Sequence, residues 1–264
     1  MLTIAFDSID LDLIAASGQC FRWQRLSDGR YAIPVFGAVF EARQTASDAV
    51  TFESEWDESR ALAAMRRYFD ADCDYARILR DVPPEDEALF EAANLGLGMR
   101  ILRQPLWETL VSFILSQNNN IPRIRGLIER LCGGALAPFP PAQAVAAMGE
   151  ESLRALGMGY RAPYVRKAAQ RFTSEEESRL SAMDYPHARE ALTAYAGVGG
   201  KVADCVCLYA LGHKRAFPVD VWVKRALEAH YPGGFPLADS PYAGVYQQVL
   251  FERERMKGAK SRGA

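Results

Sequence analysis

The chain has 264 residues, 49% hydrophobic and 24% charged, which excludes a disordered or fibrous protein and suffices for one sizeable core or two packed ones. The net charge is −2, but residues 1–100 hold 10 Arg, no Lys and 18 acidic residues, a net −8, whereas residues 101–264 hold 21 basic and 15 acidic residues, a net +6. Only the second part carries the excess of cations that a phosphate backbone attracts, although unevenly spread solvated charge gives the same asymmetry.

The opening residues carry Asp7, Asp10 and Asp12 and no basic residue, unlike a secretion signal, and no run approaches the 18 or so apolar residues of a membrane span. A cytoplasmic protein without a membrane partner is expected. Five cysteines, at 20, 73, 132, 205 and 207, lack the paired spacing of a zinc site or the run of an iron–sulfur cluster. Neither a disulfide, a metal nor another cofactor is expected.

From the N-terminus, short β-rich runs alternate with turn signals: LTIAF, FRWQRL, a Ser27-Asp28-Gly29 turn, RYAIPVF, AVFEAR and AVTFE. They predict a small antiparallel sheet. From about Asp57 the pattern becomes helical, with SRALAAMRRYF and then EDEALFEAANLG after Pro83-Pro84. Residues 106–117, LWETLVSFILSQ, are apolar on most sides and predict a central buried helix. Further helices follow Pro122, Pro140-Pro141, Arg161, Pro186, Gly200 and Asp220, and a last one spans about Tyr242 to Arg255. The tail KGAKSRGA is basic and expected to be loose. The fold class is α+β, with domains expected over residues 1–98 and 99–256 and a tail over 257–264.

The sharpest local feature is Tyr195-Ala196-Gly197-Val198-Gly199-Gly200-Lys201, a glycine-rich turn between two helices. Its glycines let backbone N–H groups approach a phosphate, or simply allow a tight turn with a glycine cap. Lys201 falls at the start of the second helix, where the dipole disfavours an ammonium and favours a nucleophilic amine; a solvated lysine is the alternative. Cys205 lies four residues on, along the same face. Asp220, opening the helix VKRALEAHY, is placed as an N-cap, and a carboxylate so fixed also stabilises positive charge developing on a sugar. The run Ser116-Gln117-Asn118-Asn119-Asn120 ends the most apolar helix and suits either a helix terminus or contact with a nucleic acid.

In order, SGQCFRW (17–23), SQNNNIPRI (116–124), LGMGYRA (156–162), GVGGKVADCVCL (197–208) and FPVDVW (217–222) resemble the motifs of the 8-oxoguanine DNA glycosylase/AP lyase family, in the helix-hairpin-helix superfamily. Five motifs in this order are far more specific than any one of them. The resemblance implies a small N-terminal antiparallel β-sheet domain packed on a mainly α-helical helix-hairpin-helix glycosylase domain. It implies a monomer that binds double-stranded DNA and rotates an 8-oxoguanine nucleotide, opposite cytosine, out of the duplex. Lys201 matches the nucleophile that forms a Schiff base, and Asp220 its carboxylate partner. Gly18 matches the glycine whose carbonyl accepts the N7 hydrogen of the oxidised base. Cys205 and Phe251 match residues that sandwich that base, and Gln247 one that bonds its pairing edge. Asn118, Arg123, Tyr160 and Arg161 match residues that fill the vacated space and read the estranged cytosine, and Gly197, Val198 and Gly199 match the hairpin that grips the DNA backbone.

Three positions depart from the family pattern: Ala196 stands where proline is usual, Trp222 where histidine is usual, and Ser116-Gln117-Asn118 where Ser-Ser-Asn is usual. Two further readings stay open, a glycosylase of the same fold acting on another damaged base and a non-catalytic helix-hairpin-helix DNA-binding protein.

Overall fold

The structure, a computed structural model, describes residues 1–260, with side chains through 258. Five strands, β1 (Leu2–Ala5), β2 (Gln24–Arg25), β3 (Tyr31–Val35), β4 (Ala38–Ala46) and β5 (Ala49–Glu53), form one antiparallel sheet in the order β1-β5-β4-β3-β2. Alternation sets the register: along β4 Ala38, Phe40 and Ala42 face the core. The β3–β4 hairpin turns on Phe36 and Gly37, both in the left-handed region at φ 54° and 80°, which matches the twist of paired strands.

Helix α1 (Leu11–Ala16) interrupts the strands. Periodicity gives no sign of it, because six residues hold too few turns; Asp10 starts it by accepting the Leu13 N–H at 2.8 Å. Helices α2 (Glu58–Tyr68), α3 (Tyr75–Arg80) and α4 (Glu87–Leu95) follow the sheet. The remainder of the described chain is helical: α5 (Leu106–Ser116), α6 (Ile121–Cys132), α7 (Ala142–Ala147), α8 (Gly149–Leu153), α9 (Ala162–Arg171), α10 (Ser174–Ser181), α11 (Tyr185–Thr193), α12 (Gly200–Tyr209), α13 (Val221–His230) and α14 (Ala243–Lys260). Asp57, Asp74, Asp86, Asn120, Thr173, Asp184 and Asp220 each cap a helix by accepting first-turn N–H groups, at about 1 kcal/mol apiece.

Helix α5 is the central element, as its composition predicts: Leu110, Val111, Ile114 and Leu115 are fully buried. A single core runs from the sheet through α5 into the later helices. Arg100, also fully buried, braces the link between the sheet region and α5. Its guanidinium lies between the Phe6 and Tyr75 rings, donates to the carbonyls of Phe69, Asp70 and Cys73, and pairs with Asp7. Helix α14 packs on α4 and α13, and Arg253 pairs with Glu91 at 2.6 Å. Residues 257–260, expected in the loose tail, continue α14, and 261–264 lie outside the described residues. Among the described residues no helix is long and apolar enough to cross a membrane, and no cluster of potential metal ligands occurs.

Candidate active site

Helices α11 and α12 form the hairpin that the glycine-rich turn predicts. Gly197 needs its glycine twice over: φ is +77°, and a Cβ there would lie 2.4 Å from the Tyr164 ring. Gly197→Ala is therefore expected to destabilise the fold by at least about 1 kcal/mol, read as a lowered urea midpoint at an unchanged slope. Val198 does not face outward. Its side chain is buried and its N–H donates to the Tyr195 carbonyl at 3.0 Å. Gly199 is exposed and is the N-cap of α12, which has no side-chain cap, so the first N–H groups of the helix remain available to an anion.

Lys201 sits in the first turn of α12. Its ammonium donates to Ser116 Oγ at 3.4 Å and lies 5.1 Å from the centre of the Phe113 ring. Asp220 caps α13, one carboxylate oxygen accepting from Trp222 N–H at 3.0 Å and Val223 N–H at 2.9 Å. Lys201 and Asp220 make no ion pair with each other among the described residues, yet both line one cavity of about 640 Å³. This is ample room for a nucleobase.

The same cavity collects every residue matched to the damaged-base pocket: Gly18, Cys205, Gln247 and Phe251. Gly18 (φ +74°) stands against the Phe251 ring, 3.5 Å from where a Cβ would be. Its carbonyl accepts from no group among the described residues. Gln247 is 3% exposed, and its side-chain oxygen is buried without a partner. A buried acceptor without a partner among the described residues costs about 1–3 kcal/mol. Burial pushes the Cys205 thiol up to about 11, against the pull of nearby Lys201, so the sulfur offers an apolar face at neutral pH.

Residues 116–120 divide this cavity from a second cluster. Asn118, exposed and in the left-handed region (φ 46°), donates to the Tyr160 hydroxyl at 3.3 Å. Tyr160 is 47% exposed, on a π and 3-10 turn bent at Gly157 and Gly159. Arg123 is exposed on the first turn of α6. Arg161 differs from its expected display: it is 3% exposed, stacks beneath Tyr160 and donates to the Gln117 and Asn118 carbonyls. In this state it braces the bend that presents Asn118. A smaller cavity of about 360 Å³, beside the buried Arg22–Glu108 pair, contains neither Lys201 nor Asp220.

A family model described as the 8-oxoguanine DNA glycosylase N-terminal domain matches residues 1–110, and one described as an HhH-GPD superfamily base excision DNA repair protein matches 111–234. The chain is 30% identical over 266 residues to an N-glycosylase/DNA lyase of Saccharomyces cerevisiae, with 87% of this chain and 70% of that protein covered. The chain belongs to the 8-oxoguanine DNA glycosylase family. Among solved structures, MBOgg1 in complex with a low affinity DNA ligand superimposes with a TM-score of 0.88 at 35% identity, covering 97% of this chain and 94% of that one. The Clostridium acetobutylicum 8-oxoguanine glycosylase/lyase, bound to double-stranded DNA containing cytosine opposite 8-oxoguanine, does so with 0.86 at 30% identity, covering 95% and 93%.

Each departure from the family pattern has a structural setting. Trp222 lines the cavity and packs so closely on Gly258 of α14 that a Cβ there would lie 2.5 Å from the ring; Arg225 sits over its face at 5.0 Å. Gln117, in place of a serine, donates to the Gly197 carbonyl at 3.0 Å and so ties the Asn118 bend to the hairpin. Ala196 is half-buried at the start of that turn. Sequence reasoning passes over Phe113 beside Lys201, Arg125 in the cavity wall, and Tyr209 and Gln248. Only Tyr209 carries a signal, since 201, 205 and 209 share a helix face.

Proposed function

We propose that the chain is a bifunctional DNA glycosylase/AP lyase that excises 8-oxoguanine from duplex DNA in base-excision repair. The observation that carries this is one cavity lined by the amine-bearing Lys201, the separate carboxylate residue Asp220 and Gly18, whose carbonyl has no partner among the described residues. The Lys201 amine attacks C1′ of the extruded sugar while the C1′–N9 electron pair leaves with the base. The sugar ring then opens to a C1′=N Schiff base, and loss of a C2′ proton expels the 3′ phosphate. Asp220, fixed in place by two N–H groups and not consumed, stabilises the positive charge that develops on the sugar.

Recognition follows from acceptors without partners. The Gly18 carbonyl accepts the N7 hydrogen that oxidised guanine has and guanine lacks; against guanine it stays unpaired, at about 1–3 kcal/mol. Gln247 meets the pairing edge of the base, and Cys205 and Phe251 hold its two faces. Asn118 and Tyr160 fill the gap left in the duplex, Arg123 reaches the estranged cytosine with Arg161 behind it, and Gly197, Val198 and Gly199 bring the hairpin to the DNA backbone. Residues 1–98 form the sheet domain that supplies Gly18, and 99–256 the helical glycosylase domain that supplies the nucleophile, the carboxylate and the rest of the base pocket.

Borohydride treatment with duplex containing 8-oxoguanine opposite cytosine is expected to leave a covalent protein–DNA adduct. Active protein that binds the duplex without adduct would be a binding module, and adduct with other lesions alone would mark a different glycosylase. Gln247→Ala is expected to lower excision of 8-oxoguanine by about tenfold in kcat/KM, more than it lowers cleavage of a preformed abasic site, in single-turnover assays on both substrates.

A further inference from the structure

Gly18 lies between two carbonyls that are both held. The Ser17 carbonyl accepts from Gln248 Nε2 at 3.0 Å and the Gln19 carbonyl from Gln104 Nε2 at 2.7 Å, whereas that of Gly18 is free among the described residues. Both amides lead back to Tyr209. Its hydroxyl donates to Gln248 Oε1, and its backbone carbonyl accepts the Gln104 N–H at 2.8 Å.

Tyr209 stands two turns after Lys201 on the same face of α12, with Cys205 between them. Its ring stacks on Phe113, 5.4 Å between centres at 19°, and Phe113 is also the ring beneath the Lys201 ammonium. Burial raises the Tyr209 hydroxyl well above the ordinary phenol range, so it remains a donor. The Ser17 carbonyl can only accept, which leaves Gln248 one orientation, amide N–H toward Ser17 and oxygen toward Tyr209. Tyr209 and Gln248 spend their polar atoms on each other and on the Ser17 carbonyl, which suits them to act through Gly18 rather than on a base directly.

We propose that Tyr209 and Gln248 form a positioning relay that aims the Gly18 carbonyl at the oxidised edge of the base and ties that aim to the helix carrying the nucleophile. The proposal rests on the 8-oxoguanine reading above. A glycine at φ +74° has no side chain to fix its peptide plane, and acceptor strength falls steeply as the carbonyl turns away. Holding both flanking carbonyls removes that freedom before the base arrives, so binding is spared the cost of ordering the loop.

The test uses the full chain with Gln248→Ala, Gln248→Met, Tyr209→Phe and the Tyr209→Phe/Gln248→Ala double variant. Single-turnover rates are measured for excision of 8-oxoguanine opposite cytosine and for cleavage of a preformed abasic duplex, which presents no base. Gln248→Ala is expected to lower the ratio of the first rate to the second by about tenfold, the scale of one well-aimed hydrogen bond. Tyr209→Phe lowers it in the same direction, and the double variant falls no further than Gln248→Ala alone, because the hydroxyl acts through that amide. Gln248→Met keeps the length and the packing but has no amide N–H for Ser17, so it must behave as Gln248→Ala, whereas a packing role would be rescued by it. An unmoved ratio, equal losses on both substrates, additive losses or rescue by methionine overturns the relay. A wild-type chain that acts on neither substrate instead overturns the repair reading itself.

Discussion

Lys201→Gln is expected to abolish the borohydride-trapped adduct and to lower single-turnover excision by at least about 10³-fold, because an amide has no lone pair to offer C1′. Glutamine is one atom shorter than lysine and keeps most of its packing. Lys201 donates to Ser116 at 3.4 Å, stands beside Cys205 and contacts the Phe113 ring, all weak interactions, so the fold should lose no more than about 1 kcal/mol. A folded variant with unchanged adduct yield would remove Lys201 from the chemistry and send the search to another amine. Weaker binding alone predicts the contrary pattern, in which excess enzyme restores the rate.

Asp220→Asn separates the two roles of the carboxylate. Asparagine caps helices as well as aspartate does, so the bonds from the Trp222 and Val223 N–H groups survive and α13 keeps its start. What is lost is a full negative charge in the cavity wall, and kcat is expected to fall about 10²–10³-fold with a small change in KM. Asp220→Ala removes the cap as well and should cost a further ~1 kcal/mol of stability, read from chemical unfolding. Wild-type turnover by the asparagine variant would reduce Asp220 to a structural cap.

The sheet was legible because its strands alternate and its turns carry Gly29 and Gly37, and α5 because it is apolar nearly all round. The short helices α1, α3 and α10 were not. They span six to eight residues and depend on single caps at Asp10, Asp74 and Thr173 rather than on periodicity. Within the site, Lys201, Asp220, Gly18 and Cys205 were readable as motif positions and Gln247 and Phe251 through the family resemblance, and one cavity unites them. No pattern reveals that the neighbouring Gln248 is spent on Tyr209 and Ser17; tertiary packing decides it. The burial of Arg161 was equally hidden, since it follows from how the Gly157–Gly159 turn folds under residues 117 and 118.

The walls of the large cavity come from stretches far apart in the chain: Gly18 near its start, Lys201 and Asp220 later, and Gln247 and Phe251 on the last helix. Of the four positions matched to the base, only Cys205 shares the helix of the lysine. Point changes on the first loop or on α14 are therefore expected to alter which base is admitted while leaving Lys201 and Asp220 in place.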